Sequence, residues 1–328
     1  MLTVLEICAG GGGQALGLED AGFEAVGLVE NDRHACATLR ANRPGWRVLE
    51  SDVRALDSAE FRGVDLFAGG VPCPPFSVAG KQLGSDDERD LFPTALRLIE
   101  HIQPRAVLLE NVPGLATRRF SDYRRRLATR LSALDYWLDW RVLNASEFGV
   151  SQLRPRFILV AVKRHLSPYY SWPVPSGPGR PVGEVLADLM GANGWSGVAD
   201  WAAAANDMAP TLVGGSKKHG GADLGPTRAR AAWQKLRVNG LSLADAPPGP
   251  DFPAQAMPRL TLRMTARLQG FPDSWQFEGG KTAAYRQVGN ALPPPVAEAV
   301  GASLRKALME EKPTYNLDEQ LPLRAQTV

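Results

Sequence analysis

One cysteine of this sequence lies in a segment whose prolines and glycines restrict the backbone. Cys73 belongs to the run Val-Pro-Cys-Pro-Pro-Phe-Ser at residues 71–77, directly after Gly69 and Gly70. Proline fixes φ at about −65° and lacks a backbone donor, which excludes Cys73 from a helix interior and from a paired strand. We expect it on a loop at a strand end, where a thiol could act as a nucleophile. The alternative is a small buried apolar side chain in a turn.

A carboxylate and two arginines could act on the same substrate as this thiol. Glu110 follows the apolar run 106–109 and precedes Asn-Val-Pro-Gly, so it also stands at a predicted strand end. Arg154 and Arg156 occupy alternate positions before the apolar run 157–162, which presents planar donors on one side of the chain. In isolation the glutamate could be a solvated turn residue, and the arginines could be surface cations.

A glycine-rich turn near the N-terminus predicts a nucleoside-binding site. Residues 2–8 are rich in strand formers and lead into Ala9-Gly10-Gly11-Gly12-Gly13, after which a helical pattern begins. Glu30 ends the next predicted strand, about 20 residues further on, where a carboxylate can bind ribose hydroxyls. Asp52 follows a third short strand and could contact the adenine amino group or cap a helix.

Alternating strand and helix patterns predict an α/β fold with a parallel sheet. Strands are expected at residues 2–8, 23–29, 46–49, 64–68 and 106–109, with a pair at 137–144 and 157–162. Helices are expected at residues 14–21, 32–42, 91–102 and 296–309. The polar run 84–90 is expected to be a mobile loop. The strand ends then bring the glycine turn, Cys73 and Glu110 to one edge of the sheet.

From about residue 169 the alternation stops and proline and glycine become frequent, which predicts a second, smaller, loop-rich domain. The expected boundaries are 1–168 for the catalytic part, 169–258 for the second domain, 259–310 for a return to the first, and 311–328 for a flexible tail. The stretch 217–237 carries six cations and one acid, which favours a nucleic-acid surface. A second basic stretch, 117–130, directly follows the Glu110 block and could be a solvated helix face.

Composition excludes several classes of protein. The chain has 328 residues, a net charge of +2, three scattered cysteines and four histidines, which favour neither a disulfide framework nor a metal site. The N-terminus lacks a basic leader, and no apolar run approaches the roughly 18 residues needed to span a bilayer. We expect a cytoplasmic protein without membrane attachment.

Several of these blocks together resemble the DNA (cytosine-5)-methyltransferase family, in the family's order and over nearly the whole chain. Leu5 to Gly13 resembles the turn that binds S-adenosylmethionine, Pro72-Cys73 the nucleophile block, and Glu110-Asn111-Val112 the catalytic glutamate block. Gln152-x-Arg154-x-Arg156 resembles the paired-arginine block, and Gln287 to Asn290 the last cofactor block. The region before Arg259 then corresponds to the target-recognition region. Departures from the family pattern lie mainly on the cofactor side: Glu6, Cys8, Asn31 and Pro74.

The resemblance implies a Rossmann-like methyltransferase sheet with a smaller target-recognition domain. It implies S-adenosyl-L-methionine as cofactor, S-adenosyl-L-homocysteine as product and double-stranded DNA as substrate. The implied enzyme is a bacterial or archaeal monomer of a restriction-modification system, with no metal and with a cognate endonuclease that forms no stable complex with it. The implied catalytic residues are Cys73, Glu110, Arg154 and Arg156. The implied cofactor residues are Glu6, Cys8, Ala9, Gly10, Gly12, Gly13, Glu30, Asn31, Asp52, Val53 and Asn290. The implied DNA-binding residues are Gln82, Thr211, Leu212, Lys217, Lys218, Arg228, Arg230 and Arg237.

The chemistry explains why these residue types are needed. Cytosine C5 is a weak nucleophile, so a thiolate must add to C6 while an acid neutralises N3. A base inside a duplex exposes neither atom to the protein, so it must be flipped out, with residues 78–90 expected to close over it. Three alternatives remain at this point: a nicotinamide-dependent oxidoreductase, a catalytically silent DNA-binding protein on the same scaffold, and an enzyme that methylates RNA.

Overall fold

The computed structural model describes residues 1–72, 90–215 and 221–310. Its strands are, in chain order, β1 (Leu2–Ile7), β2 (Phe23–Glu30), β3 (Val48–Glu50), β4 (Leu66–Gly70), β5 (Ala106–Asn111), β6 (Tyr136–Asn144) and β7 (Pro155–Lys163). They form one sheet in the order β3-β2-β1-β4-β5-β7-β6. Strands β1 to β5 run parallel, whereas β7 is antiparallel to both β5 and β6. The predicted α/β sheet is therefore confirmed.

The sheet order places a topological switch at β1. The chain goes from β1 to β2 and β3 on one side and returns later to β4 and β5 on the other side. A crevice opens at such a point beyond the carboxyl ends of the strands, because the connections leave in opposite directions. The glycine turn, the segment that leads to Cys73, and Glu110 all follow from strands that meet at this edge.

The described residues form ten α-helices, some of which cover the two faces of the sheet. They are α1 (Gly13–Asp20), α2 (Arg33–Asn42), α3 (Phe92–Ile102), α4 (Ser121–Ala133), α5 (Val182–Gly191), α6 (Val198–Ala204), α7 (Thr227–Lys235), α8 (Leu262–Leu268), α9 (Lys281–Asn290) and α10 (Pro294–Met309). Neighbouring strand residues point to opposite faces, so Phe67 joins the core beneath α3 and α4 while Ala68 joins the core beneath α1 and α10. Within the described ranges, no helix is long and apolar enough to cross a membrane.

The region predicted as a separate loop-rich domain contains three helices, α5, α6 and α7, and shares its apolar core with the segment that follows it. Trp201, Leu212 and Trp233 are buried in the same cluster as Phe271 and Tyr285. The core therefore crosses the boundary expected at residue 258. Large aromatic side chains from both segments meet in this core.

Element boundaries differ from the predictions where glycine or tryptophan is involved. Strand β4 continues to Gly70, beyond the expected end at residue 68, because Gly69 and Gly70 pair with Leu109 and Glu110 of β5. Strand β3 begins at Val48 rather than residue 46, because Trp46 leaves the strand and packs near Trp275, with ring centroids 6.1 Å apart. Residues 281–290, where no separate helix was expected, form a helix of their own.

Candidate active site

The turn between β1 and α1 has a backbone that only glycine tolerates at some positions. Gly10 and Gly12 have φ values of 53° and 87°, in the left-handed region. A Cβ at Gly12 would lie 2.8 Å from side-chain atoms of Leu39 and Trp275, and one at Gly13 would lie 2.3 Å from the Leu292 carbonyl oxygen. The turn is therefore packed tightly on its protein side.

Glu30 holds this turn in place from the end of β2. Its Oε2 accepts a hydrogen bond from the Gly10 amide at 2.8 Å, and its Oε1 accepts from the amides of Asn31 and Asp32 at 2.9 and 2.8 Å. Each carboxylate oxygen has more than one acceptor site, so Glu30 can brace the turn and still accept from a ligand hydroxyl. The spacing of about 20 residues between the glycines and Glu30 thus reflects the contact of the Glu30 carboxylate with the Gly10 amide.

A cleft of about 430 Å³ opens beside the turn. The predicted cofactor residues on its wall are Glu6, Cys8, Ala9, Gly10, Gly13, Glu30, Asn31 and Asn290. An adjoining cavity of about 150 Å³ shares Cys8, Glu30 and Asn31 with the cleft and adds Asp52 and Val53. Of the predicted cofactor residues, only Gly12 lines neither cavity. The structure thus brings ten residues from β1, β2, the segment after β3, and α9 to one place.

Several polar atoms at the cleft lack a partner among the described residues. Glu6 Oε2, Gln14 Nε2, Arg286 Nε and Gln287 Oε1 are buried, make no hydrogen bond and belong to residues that line the cleft. Buried polar groups are usually paired, so these donors and acceptors suit a ligand with amino, carboxylate and hydroxyl groups. The set fits the S-adenosylmethionine expected from the sequence. Gln14 and Arg286 were not predicted as site residues, although Gln14 directly follows the glycines. Gln287 belongs to the block that resembles the last cofactor block of the family.

Burial changes the acidity of two cleft residues. It raises the pKa of Glu6 well above the ordinary range, and the nearby Glu30 charge adds to the effect. Burial, followed by the Glu30, Glu6 and Asp52 charges, raises the pKa of the Cys8 thiol to about 12. Cys36 is buried too, and its pKa is also raised to about 12, first by burial. Neither of these two thiols is ionised near neutral pH, so neither is a candidate nucleophile.

Glu110 and Arg156 form a buried ion pair at the inner end of the cleft. Arg156 Nε lies 3.0 Å from Glu110 Oε1, and each residue is only 8% exposed. Glu110 pairs with Ile158 across β5 and β7, so Arg156, two residues before Ile158, lies on the same face. Burial raises the pKa of Glu110, and the charges of Arg156 and then Arg154 oppose that rise without cancelling it.

Arg154 has different surroundings from Arg156. It is fully buried, and its terminal nitrogens donate to the carbonyl oxygens of Leu212, Gly289 and Ala291 at 2.7, 2.7 and 2.9 Å. Arg154 has no exposed surface and does not line the cleft, and its implied role as a catalytic residue stays a prediction. The period-two spacing predicted that the two arginines share a face, but Arg154 precedes β7 and is enclosed by segments distant in sequence.

Cys73 lies outside the described residues, but both of its flanks are placed. Pro72, its immediate neighbour, lines the cleft together with Glu110. Asn111 Nδ2 donates to the Val71 carbonyl at 2.7 Å, which ties the approach to Cys73 to the end of β5. The Leu91 amide donates to the Pro72 carbonyl at 3.4 Å. The two flanks of residues 73–89 therefore meet beside Glu110.

The predicted DNA-binding residues fall into three groups. Arg228 and Arg237 are exposed and Arg230 is half-buried, and none of the three is in an ion pair within the part of the chain that the structure describes. Thr211 Oγ1 donates to the Leu153 carbonyl at 2.6 Å. Leu212 is fully buried, so its side chain presents no surface to DNA. Outside the described residues lie Gln82, Lys217 and Lys218.

Several arginines of the basic stretch 117–130 contact other residues of the protein. Arg124 donates to the Leu115 and Thr117 carbonyls and lies 4.8 Å from the centroid of the Trp140 ring. Arg125 pairs with Asp122 at 3.0 Å, and Arg130 pairs with Glu100 at 3.4 Å. These contacts favour the solvated-face interpretation for much of the stretch.

Known proteins resemble this chain over most of its length. The family model described as C-5 cytosine-specific DNA methylase matches residues 2–306. The Type II methyltransferase M.NaeI of Lentzea aerocolonigenes is 57% identical over 314 residues, covering 94% of this chain and 76% of that relative. The Type II methyltransferase M.NgoMIV of Neisseria gonorrhoeae is 51% identical over 323 residues, covering 94% and 99%. The crystal structure of a DNMT2 mutant from Spodoptera frugiperda shares the fold, with a TM-score of 0.65 at 18% identity over 94% of this chain and 100% of that one.

Proposed function

Because this chain belongs to the C-5 cytosine-specific DNA methylase family, we propose that it transfers a methyl group from S-adenosylmethionine to C5 of a flipped-out cytosine in duplex DNA, through a covalent adduct with Cys73. One observation carries this proposal. The cleft lined by the glycine turn and Glu30 is also lined by Glu110 and by Pro72, the neighbour of Cys73. Cofactor, acid and nucleophile blocks thus converge on one cavity.

Cys73 is the proposed nucleophile. Its thiolate forms an Sγ–C6 bond with the cytosine, and the electrons of the C5–C6 double bond move toward C5 and the ring. The bound cofactor supplies the electrophilic methyl group on a sulfonium. Methyl transfer releases S-adenosylhomocysteine. Transfer of the C5 proton to water then re-forms the double bond and expels Cys73 as a thiolate, while the proton on N3 returns to Glu110.

Glu110 is the proposed acid at N3. The contact from Arg156 to Oε1 leaves Oε2 available to the base. Burial keeps the pKa of Glu110 above its usual range, so a protonated carboxyl is accessible to donate to N3 as Cys73 attacks. The proposed role of Arg156 is to fix the Glu110 rotamer and to donate to the cytosine O2 from the same face.

The cofactor is assigned to the two adjoining cavities. Glu30 would bind the ribose hydroxyls, because Glu30 lines both cavities and its carboxylate also braces Gly10. Asp52, whose Oδ1 accepts from the Arg54 amide at 2.9 Å, would receive the adenine amino group on its remaining acceptor sites. The unpartnered atoms of Glu6, Gln14 and Gln287 would face the amino-acid end.

The proposed substrate is duplex DNA, bound in part by helix α7. Arg228, Arg230 and Lys235 bring three cations to this nine-residue helix, and Trp233 anchors it in the shared core. A rigid basic helix of this kind can neutralise phosphates and present side chains to a groove. The similarity to two Type II methyltransferases supports a role as the modification enzyme of a restriction-modification system in the bacterial cytoplasm.

Bisulfite sequencing tests the proposal. The protein is expressed in a bacterial host without cytosine methylation of its own, and genomic DNA and RNA are sequenced after conversion. We expect protected cytosines within one recurring DNA sequence for the unaltered protein and for the control Cys36→Ser, and none for Cys73→Ser. Absence of methylated DNA with the folded unaltered protein would contradict the proposal, and methylation of RNA alone would replace duplex DNA as the substrate.

A further inference from the structure

A buried polar network joins the recognition region to the cofactor cleft. At its centre Arg154 donates to the Leu212 carbonyl on one side and to the Gly289 and Ala291 carbonyls on the other. Leu212 belongs to residues 211–215, which we call the strap. Gly289 and Ala291 flank Asn290, at the end of α9 and on the wall of the cleft.

Two glutamines complete the network. Gln152 Oε1 accepts from the Leu212 amide at 2.9 Å, and Gln152 Nε2 donates to Gln269 Oε1 at 2.8 Å. Gln269 Nε2 in turn donates to the Ala291 carbonyl at 2.6 Å. The amide and the carbonyl of Leu212 are thus both held by side chains of the paired-arginine block. Leu212 has no exposed surface, so these bonds form in a low-dielectric interior, where an unmade bond is costly.

The strap also contacts α9 directly and forms part of the cleft. A Cβ at Gly289 would lie 2.4 Å from the Gly214 nitrogen, so the two backbones approach closely. Asn290 Nδ2 donates to the Gly215 carbonyl at 3.2 Å, and Gly215 lines the same cleft as Glu6 and Glu30. A movement of the strap would therefore change the shape of the cofactor cleft.

On this basis we propose that Arg154 is a positioning residue that couples DNA binding to cofactor binding, by holding the strap and the end of α9 as one body. The inference rests on the proposed function, because it takes the cleft as the cofactor site and takes the strap and helix α7 as parts of the DNA-binding region. Only a guanidinium offers a planar set of donors that can reach three carbonyls at once. If the strap separated from α9, the buried charge of Arg154 would lose hydrogen-bond acceptors, which costs free energy. The strap and the end of α9 therefore move as one unit.

The test measures the affinity for S-adenosylhomocysteine by calorimetry, with and without a saturating duplex that carries the methylated sequence. For the unaltered protein we expect DNA to tighten S-adenosylhomocysteine binding by roughly 5- to 150-fold, the usual range for coupled sites. In Arg154→Lys the ratio should fall to within about twofold of unity, because a lysine cannot hold all three carbonyls. Each ligand alone should still bind.

Arg267→Lys is the matched control, because Arg267 is a partly buried arginine that pairs with Asp188 and Asp273 and lines neither cofactor cavity. It should retain the coupling ratio of the unaltered protein. A second variant, Gln269→Met, removes the bond to the Ala291 carbonyl and the bond from Gln152 Nε2, but leaves the three Arg154 bonds in place. It should lower the ratio part of the way, which keeps the test open if Arg154→Lys fails to fold.

Three outcomes distinguish the inference from the proposed function. If Arg154→Lys folds and its coupling ratio is unchanged, the inference is overturned while the proposed function stands. If Arg154→Lys does not fold, an unchanged coupling ratio in Gln269→Met has the same meaning. Independent binding of the two ligands to the unaltered protein does the same. Failure of the unaltered protein to bind S-adenosylhomocysteine overturns the proposed function, and the inference with it. Hydrogen exchange gives a further readout, since S-adenosylhomocysteine alone should slow exchange in peptides covering residues 205–215, and a lack of such slowing contradicts the inference.

Discussion

Arg156 and Glu110 are held face to face on adjacent antiparallel strands, with 3.0 Å between Arg156 Nε and Glu110 Oε1 in surroundings that exclude most water. The pair fixes one carboxylate oxygen and leaves the other for a substrate. Burial raises the pKa of Glu110 and the arginine limits that rise, so the carboxyl can exchange a proton during a reaction. This balance leads to the first two predictions.

Glu110→Gln should slow the chemical step by roughly 10²- to 10⁴-fold, the usual cost of losing a general acid. Cofactor affinity should change little. Because the raised pKa keeps Glu110 protonated to a higher pH than an ordinary glutamate, the unaltered rate should fall as pH rises through that pKa, and the variant should lack this fall. Single-turnover rates across pH measure both effects. The exposed Glu100→Gln serves as control, and a loss below about threefold would show that Glu110 is not the acid of the reaction and acts only as the buried partner of Arg156.

Arg156→Met should lower the free energy of unfolding by about 3 to 5 kcal/mol, because it leaves a buried carboxylate without its partner. The control Arg125→Met breaks an exposed pair with Asp122, with side chains 75% and 73% exposed, and should cost less than about 1 kcal/mol. Urea unfolding followed by circular dichroism gives both values. Equal losses of unfolding free energy in the two variants would show that the Glu110–Arg156 pair stabilises the fold no more than an exposed pair.

Much of the site could be predicted from local sequence, because its parts stand at strand ends. The spacing from the glycines to Glu30 and the position of Glu110 after an apolar run both follow from the geometry of a parallel sheet. The two interpretations of Asp52 prove compatible, since its side chain accepts from the Arg54 amide and its residue also lines the smaller cavity. The roles of Glu110 and Cys73 in catalysis stay predictions.

Other features depend on contacts between distant segments, which a single sequence does not reveal. Arg154 and Arg156 look equivalent in the sequence, yet the carbonyls around Arg154 come from residues 212, 289 and 291. The apolar core that crosses residue 258 likewise depends on tryptophans meeting across the fold. Gln14 and Arg286 become candidates only when their unpartnered atoms are seen at the cleft.

Glu6→Gln should weaken S-adenosylmethionine binding and flatten its pH dependence. Burial raises the pKa of Glu6, whereas a cationic ligand favours the ionised carboxylate, so the affinity of the unaltered protein should rise as pH rises from the ordinary glutamate range through the raised pKa. Calorimetry at several pH values measures this, with the exposed Glu24→Gln as control. The same pH dependence in Glu6→Gln would place the cofactor away from Glu6.

Substitutions on α7 and beside it should separate two kinds of DNA contact. Replacing a phosphate-binding residue among Arg228, Arg230, Lys235 and Arg237 with glutamine should reduce the slope of log K against log salt by about 0.9. Replacing a base-reading residue should relax sequence preference by roughly 1 to 3 kcal/mol at one position while leaving the slope unchanged. Binding titrations at several salt concentrations distinguish the two kinds of contact, with Arg125→Gln as control. If all four substitutions leave affinity, slope and preference unchanged, the DNA surface lies elsewhere.

The covalent step is the central claim, and trapping it is the most direct test. Duplex DNA with 5-fluorocytosine at the methylated position is incubated with the protein and S-adenosylmethionine, because fluorine at C5 prevents the final elimination. We expect a complex that survives denaturation, with the DNA attached to the peptide containing Cys73, and no such complex for Cys73→Ser, whereas Cys36→Ser should trap normally. Attachment to any other residue, or methyl transfer by Cys73→Ser at the unaltered rate, would contradict the proposed mechanism.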